Sequence, residues 1–147
     1  NIHAFDVFSD ILGLDETDHY LIINPFFHSF GYKAGWLAAL LRGATVYPMA
    51  VFDVPAVLKA ISTHQISVMP GPPTLFQSIL MHPDRDTFAI PSLKKATTGE
   101  ATIPTQLIVA MRETHRIDTV INAYGLYENC GLVTMCRRAD AHDPKPL

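Results

Sequence analysis

The sequence predicts an α/β fold in which helices cover a mainly parallel sheet, and two observations support this prediction. Short apolar segments alternate along the chain with segments of helical periodicity, which is the pattern of βαβ units. The central apolar segments also lack the polar–apolar alternation of a half-exposed strand, which favours strands covered on both faces. With 147 residues, 48% of them hydrophobic, the chain suits one domain or a large part of one.

Six short segments, most of them apolar and containing β-branched or aromatic residues, are predicted to be strands. They are YLIIN (20–24), ATVYP (44–48), ISVMP (66–70), KKATT (94–98), TVIN (119–122) and LVTMC (132–136). In a parallel sheet, ligands bind beyond the carboxyl ends of the strands, so the loops that follow these segments are the first place to look for a site.

Two helices are predicted in the first third of the chain. Phe5, Phe8 and Leu12 recur at helical spacing and precede Gly13, a residue type that commonly follows a helix end. The segment 29–43 is rich in Ala and Leu and stops at a glycine in the same way. Both helices lie next to predicted strands, as layered packing requires.

Two more helices are predicted further along. Segment 52–65 has apolar residues at i, i+3, i+4 and i+7, with Asp53 as the N-cap and a proline in the first turn. The second of these helices opens at Pro104, and its residues Leu107 and Met111 are expected to face the core.

Composition argues against several classes of protein. The formal net charge is −3 and no basic stripe is present, so a nucleic-acid partner is not expected. No apolar run is long enough to span a bilayer, and no secretory signal is visible at the start. The two cysteines, Cys130 and Cys136, are too few for a disulfide framework, so a cytoplasmic location is expected.

Four loops that follow predicted strands are rich in Gly, Pro or small polar residues: NPFFHSFG, PGPPT, TTGEATIP and NAYGLYENCG. The phosphate-binding patterns G-x-x-x-x-G-K-[ST] and G-x-G-x-x-G are not found in the sequence. An α/β hydrolase that uses Ser29 is one alternative, but Phe27 stands where the first glycine of its G-x-S-x-G elbow should be.

Together these loops resemble motifs of the adenylate-forming superfamily of acyl-CoA synthetases and luciferases, and they occur in that family's order. INAYGLYENCG resembles the Y-G-x-T-E signature, and INPFFHSFGYKAGWLAALLRGATVYP resembles the P-x-F-H-x-x-G segment with the helix and strand after it. MPGPPTLFQSIL resembles the acyl-pocket loop, and TTGEATIP the adenine-side loop. The segment FFHSFGYKAG further resembles the corresponding segment of actinobacterial ligases for fatty, alicyclic or steroid-ring-derived propanoic acids.

The resemblance implies a two-step reaction. A carboxylic acid attacks the α-phosphorus of ATP to give an acyl-adenylate and pyrophosphate, and the thiol of coenzyme A then displaces AMP. The matching glutamate, Glu128, is expected to bind Mg²⁺, since a hard cation takes oxygen ligands. Tyr124 is expected to stack on adenine, and Gly125 to let the backbone approach the nucleotide.

The remaining site residues implied by the resemblance lie in the other three loops. They are Gly99, Glu100 and Ala101 on the adenine side, His28 and Phe27 near the acid's carboxylate and acyl group, and Gly71, Pro72 and Thr74 in a rigid bend beside the acyl chain. For each of these residues a purely structural role is the alternative, such as a turn or a packed core side chain.

Tyr127 departs from the family pattern, which has Thr or Ser there with its hydroxyl reaching the α-phosphate. A tyrosine adds bulk and moves the hydroxyl away from the backbone, so a degenerate, non-catalytic nucleotide-binding homologue is the second hypothesis.

The motifs predict that residues 1–147 form part of the large N-terminal AMP-binding domain of such a ligase. The family's Ser/Thr/Gly-rich phosphate loop is expected before this segment, and its C-terminal lid domain, with a lysine that contacts the carboxylate, after it. Because lid closure completes such sites, the chain alone is expected to be inactive. The expected ligands are therefore ATP or AMP, Mg²⁺, coenzyme A and a small carboxylic acid; the oligomeric state is not predicted.

Overall fold

The computed structural model describes residues 2–99, 101–129 and 131–137. Its centre is a six-stranded sheet in the order β2-β1-β3-β4-β5-β6. The strands are β1 (His19–Ile22), β2 (Thr45–Pro48), β3 (Val68–Pro70), β4 (Lys95–Gly99), β5 (Thr119–Tyr124) and β6 (Thr134–Met135). Strands β1 to β5 are parallel and β6 runs antiparallel to β5. This confirms the predicted α/β class and all six predicted strands.

Helices connect the strands and cover both faces of the sheet. They are α1 (Ile2–Leu12), α2 (Ser29–Gly31), α3 (Ala38–Leu41), α4 (Val54–His64), α5 (Pro73–Met81) and α6 (Thr105–Glu113). A π-helical segment, Tyr32–Leu37, joins α2 to α3, and two 3₁₀ turns span Pro83–Thr87 and Tyr127–Asn129.

Helix ends follow the predicted capping residues. The Asp53 Oδ2 accepts a hydrogen bond from the Ala56 backbone N–H at 3.0 Å and so begins α4. After α1 and α3, Gly13 and Gly43 have φ values of +69° and +72°, the left-handed conformation that ends a helix and that glycine adopts without strain. Pro104 directly precedes α6, as the sequence indicates.

Two segments differ from their predictions. Helix α5 was not expected, because the prolines of MPGPPTLFQSIL suggest a bend; Pro73 instead occupies the first turn, where a missing N–H costs nothing. Segment 29–43 is not one regular helix, since Gly35 has φ −93° and ψ −108° within the π-helical part. A β-carbon on Gly35 would lie 3.3 Å from the Ile22 side chain, so the helix approaches β1 closely there.

The core has two parts, one on each face of the sheet. Consecutive residues of β3 face opposite parts of the core: Val68 packs with α1, α2 and α3, and Met69 packs with α4, α5 and α6. Both residues are fully buried. Coverage on both faces explains why the central strands are apolar without alternation.

A buried ion pair ties the amino-terminal edge of the sheet together. The Lys95 Nζ donates hydrogen bonds to Asp18 Oδ2 and to the Gly13 carbonyl, each at 2.6 Å. The Ser67 hydroxyl donates to the other Asp18 oxygen at 2.7 Å. The side chains of Asp18 and Lys95 are 5% and 15% exposed, so this cluster links the starts of β1, β3 and β4 out of water.

A second set of polar contacts fixes α1 against α3. The Arg42 guanidinium donates to the carboxylates of Asp6 and Asp10, both at 2.6 Å, and to the Asp6 carbonyl at 2.9 Å. The buried Ser9 hydroxyl reaches the Ala38 carbonyl at 3.3 Å.

Among the helices of the described residues, none has the length and apolar character needed to cross a membrane.

Candidate functional site

A cavity of about 140 Å³ lies at the carboxyl edge of the sheet, where three of the four predicted loops meet. His28 comes from the loop after β1, Gly99 from the end of β4, and Gly125 from the loop after β5. The other lining residues come from α1, from segment 29–34 and from β5 with the residues after it: Phe5, Phe8, Ser29, Phe30, Ala34, Ala123, Leu126, Gly131 and Leu132.

His28 caps the short helix α2 at the wall of this cavity. Its backbone is extended, and its Nδ1 accepts a hydrogen bond from the Phe30 N–H at 3.2 Å. Because Nδ1 accepts this hydrogen bond, that atom carries no proton. The ring is half-buried. The arrangement suits a polar group that orients a ligand.

The ends of β4 and β5 are in contact at this edge. Gly99 is paired with Ala123, and a β-carbon on Gly99 would overlap the Ala123 carbonyl oxygen. Gly99 is also buried. A side chain there would therefore displace the strand that carries Tyr124, so the glycine of TTGEATIP is explained by strand packing.

The loop from Gly125 to Gly131 closes on itself. The Gly131 N–H donates to the Leu126 carbonyl at 2.9 Å, and the Val133 N–H donates to the Tyr124 carbonyl at 2.9 Å. Gly131 has φ +102°, which favours glycine, and a β-carbon on Gly125 would overlap the Gly131 carbonyl. Both glycines of the signature are thus needed for the turn itself.

This turn presents two predicted nucleotide-binding side chains to solvent. Tyr124 ends β5 and is 53% exposed, so its ring is not packed into the core. Glu128 is exposed in the 3₁₀ turn Tyr127–Asn129. Ala101, two residues after the strand end at Gly99, is also exposed. Glu100 lies outside the described residues.

The described residues fit a magnesium ion that is held by one carboxylate together with substrate phosphates. Among residues 2–99, 101–129 and 131–137, no group of three or more His, Cys, Asp or Glu side chains is arranged to hold a metal ion. Mg²⁺ in nucleotide sites keeps several waters and is commonly held by one or two carboxylates together with substrate phosphates. A single exposed carboxylate such as Glu128 matches that second arrangement.

The residues predicted to contact the acyl group, from the acyl-pocket loop and from the loop of His28, lie around other cavities. Pro72 and Thr74 line one of about 230 Å³ together with Phe52. Phe27 is 86% exposed and lines another, of about 480 Å³, beside Met49. Gly71 is buried and its N–H donates to the Thr97 carbonyl at 2.9 Å. The structure therefore separates these residues from the cavity that His28 lines.

Some aromatic and small residues that line the cavity were not predicted to line a site, among them Phe5, Phe8 and Ala34. Phe5 and Phe8 were predicted only as the core face of a helix, and Ala34 was not singled out. Periodicity gives the buried face of a helix but not what lies opposite it. The cavity depends on where the loop after β5 folds back over α1.

Comparison with known proteins identifies the family. The profile of the AMP-binding enzyme family matches residues 1–147. The chain is 56% identical over 123 residues, 84% of its length, to the 3-[(3aS,4S,7aS)-7a-methyl-1,5-dioxo-octahydro-1H-inden-4-yl]propanoyl:CoA ligase of Rhodococcus jostii (strain RHA1). It is 54% identical over 127 residues to the ligase of the same name from Mycobacterium tuberculosis (strain ATCC 25618 / H37Rv). It spans 24% and 25% of those two proteins.

Solved structures share the fold. The anthranilate CoA ligase AuaEII, crystallised with anthranoyl-AMP, superposes with a TM-score of 0.84 over 94% of this chain and 27% of that one, at 23% identity. The N-terminal domain of FACL13 from Mycobacterium tuberculosis gives 0.82 over 95% of this chain and 35% of that one, also at 23% identity. The predicted superfamily is confirmed, and the hydrolase alternative is disfavoured: the chain belongs to the AMP-binding enzyme family, and its fold is that of the N-terminal domains of adenylate-forming CoA ligases.

Proposed function

We propose that this chain is part of an AMP-forming acid–CoA ligase, which converts a carboxylic acid to its acyl-adenylate with ATP and then to a CoA thioester. Family membership supports the reaction class. The observation that carries the proposal is the meeting of His28, Gly99 and Gly125 around one cavity, with Tyr124 and Glu128 exposed on the adjoining turn. We further propose that the reaction takes place in the cytoplasm.

Each predicted residue has a role that its position allows. Tyr124 offers an exposed ring on which adenine would stack, and the strand end at Gly99 lies beside it. Gly99, Glu100 and Ala101 are proposed to line the adenine side. Glu128 would hold Mg²⁺, which neutralises charge on the phosphates. His28, which lines the cavity, would orient the acid's carboxylate there. Phe27, Gly71, Pro72 and Thr74 are proposed to contact the more distant part of the substrate.

We propose a ring-bearing propanoic acid as the substrate class. The two ligases that are 56% and 54% identical to this chain are both named for a fused-ring propanoyl group. Fatty acids are the other class that the sequence suggests. The apolar lining of the cavity, from Phe5, Phe8 and Phe30, suits the hydrocarbon end of either kind of acid.

The chain spans about a quarter of these relatives, and we propose that it does not complete the reaction alone. A lid that closes over the substrates excludes water and completes such sites.

Acid-dependent exchange of pyrophosphate into ATP tests the proposal. A full-length ligase that contains this segment should catalyse exchange with a ring-bearing propanoic acid and form AMP when CoA is added. The purified 147-residue chain should give no exchange above background. Exchange by the isolated chain at the rate of the full-length protein would contradict the fragment proposal, and no exchange by the full-length protein with any acid would contradict the ligase proposal.

Tyr127, which stands in place of the family's Thr or Ser, supports a second candidate, a non-catalytic nucleotide-binding homologue. Replacement of Tyr127 by Thr in the full-length protein separates the two. A large gain in exchange rate from a near-zero starting value would favour the degenerate homologue. An active parent whose rate changes little would favour the ligase.

A further inference from the structure

We infer that this chain has a second ligand site, for a small phosphate monoester that carries an apolar group, at the amino-terminal edge of the sheet. The site is a cleft of about 400 Å³ between the 3₁₀ turn Pro83–Thr87, the segment before β4 and the end of α6. We call it the Arg116 cleft, after one of the residues that line it. It goes beyond the proposed ligase function, which concerns the opposite edge of the sheet.

Strand β4 separates the Arg116 cleft from the cavity at the carboxyl edge. Lys94, which lines the cleft, directly precedes β4, whereas Gly99, which lines the other cavity, ends that strand. The 5 residues of β4 span about 16 Å at about 3.3 Å per residue. A ligand in the cleft therefore does not compete for space with a nucleotide or an acid bound beside Gly99.

The cleft concentrates positive charge in a chain whose formal net charge is −3. Arg85, Lys94 and Arg116 line it, against a single carboxylate, that of Asp86. Arg85 Nε lies 3.4 Å from Asp86, and Lys94 Nζ lies 3.5 Å from Asp118. The side chains of the two aspartates are 79% and 66% exposed, and exposed ion pairs of this kind contribute little. Both carboxylates can therefore give way to a bound anion.

Two polar side chains of the cleft lack a hydrogen-bond partner within residues 2–99, 101–129 and 131–137. The Nε2 atom of His115 is buried and unpaired, which is a costly state that a ligand in the cleft can relieve. Arg116 is exposed, makes no hydrogen bond or ion pair, and has φ +53°, a conformation that disfavours side chains. Arg85, in contrast, is held at the cleft because its Nη1 donates to the Leu80 carbonyl at 2.8 Å.

The lining of the cleft indicates the class of ligand. Arginine binds phosphate oxygens through paired N–H donors, and a phosphate monoester carries a charge of about −1.5 to −2 at pH 7. A carboxylate carries one charge, so the monoester is the better match for three cations. The segment 88–91, with Phe88 and Ile90, adds an apolar lining beside these charges. The volume lies within the range of small-molecule sites, about 300–1,000 Å³.

Phenyl phosphate tests the inference, by calorimetric titration of the full-length ligase that contains this segment at constant ionic strength. Excess AMP and Mg²⁺ keep the nucleotide site of the reaction filled. We expect one phenyl phosphate to bind per chain in addition to AMP, and more tightly than inorganic phosphate. Arg116→Asn and Lys94→Gln should each weaken this binding by about tenfold, because each removes a charged hydrogen-bond donor.

Both variants should fold and keep their pyrophosphate exchange. Asparagine tolerates the left-handed backbone of position 116, and the Lys94 side chain is 45% exposed. Lys59→Gln is the matched control: it removes one positive charge from an exposed position of α4 that does not line the cleft, and the affinity should not change.

Three outcomes would overturn the inference: no binding of phenyl phosphate to the AMP-filled enzyme, equal weakening in Lys59→Gln, or unchanged affinity in both Arg116→Asn and Lys94→Gln. Inorganic phosphate that binds as tightly as phenyl phosphate would refute the apolar part of the ligand. Each of these outcomes leaves the proposed ligase function intact, because pyrophosphate exchange is measured separately.

Discussion

Gly125 and Gly131 approach so closely that a β-carbon on Gly125 would overlap the Gly131 carbonyl oxygen. The Gly131 N–H is at the same time bonded to the Leu126 carbonyl at 2.9 Å. The turn that presents Glu128 therefore has no space for a side chain at its first position. The packing of the turn therefore requires a glycine at position 125 whether or not a ligand binds.

Replacement of Gly125 by Ala should destabilise the chain by about 1–3 kcal/mol, the usual cost of forcing extra atoms into a packed site. The loop after β5 would have to open, so exchange activity in the full-length ligase should fall as well. Urea unfolding of the 147-residue chain measures the first effect. Gly71→Ala is the control, because its β-carbon would meet only the end of the flexible Leu75 side chain, at 3.0 Å. Equal losses in the two variants would contradict the expectation.

Glu128→Gln in the full-length ligase should lower pyrophosphate exchange by about 100-fold or more, since a metal ion contributes several kcal/mol of charge stabilisation. Stability should change little because the side chain is exposed. Glu113→Gln, an exposed carboxylate at the end of α6, is the matched control and should keep full activity. A fully active Glu128→Gln enzyme with the same Mg²⁺ requirement would contradict the assigned role.

Lys95→Met should destabilise the chain by about 3–5 kcal/mol, because it leaves the Asp18 carboxylate buried without its cation. The double variant with Asp18→Asn should recover part of the loss. Urea unfolding is the measurement. Lys94→Met is the control: its partner Asp118 is 3.5 Å away, and both side chains are largely exposed, so a change below about 1 kcal/mol is expected. Similar losses for the two lysines would show that Lys95 is not part of a buried pair.

Below neutral pH, the free energy of unfolding of the chain should depend on the titration of His115. Burial, and then the nearby positive charge of Arg85, lower the pKa of His115 below its ordinary 6.5. The unfolded chain then binds a proton at a higher pH than the folded chain. The stabilisation that depends on neutral His115 is therefore complete above pH 6.5. It is lost as the pH falls from 6.5 through the pKa of His115 in the folded chain.

His115→Gln removes this titration and should flatten that part of the curve. The free energy of unfolding, measured at steps between pH 8 and pH 5, should fall less on acidification in the variant than in the unchanged chain. The two curves should differ in slope only below about pH 6.5. Parallel curves over the whole range would show that His115 does not couple folding to pH.

Much of the fold follows from local pattern. Most of the six strands could be predicted because they are short apolar runs. Helix α4 could be predicted because Asp53 marks its start and its apolar positions mark the buried face. Helix α5 could not, since Pro72 and Pro73 are as typical of a bend as of a first helical turn. The antiparallel direction of β6 also has no local signature, because it depends on how the loop after Gly125 folds back.

The site could be predicted only in part. The resemblance pointed to His28, Gly99 and Gly125, and these do meet at one cavity. It also grouped Phe27 and Thr74 with them, whereas the structure places those two at separate cavities. The contribution of Phe5 was missed because a buried phenylalanine at helical spacing looks the same whether it faces core or cavity. Only tertiary packing distinguishes the two.

The buried pair of Lys95 and Asp18 has a consequence for how this domain can change over time. It links the starts of β1, β3 and β4 at the edge of the sheet opposite the candidate site, away from the loops at the carboxyl ends of the strands. Substitutions in those loops therefore leave the contacts of this pair unchanged. This separation allows substitutions to accumulate in the loops while the ion pair at the opposite edge of the sheet is retained.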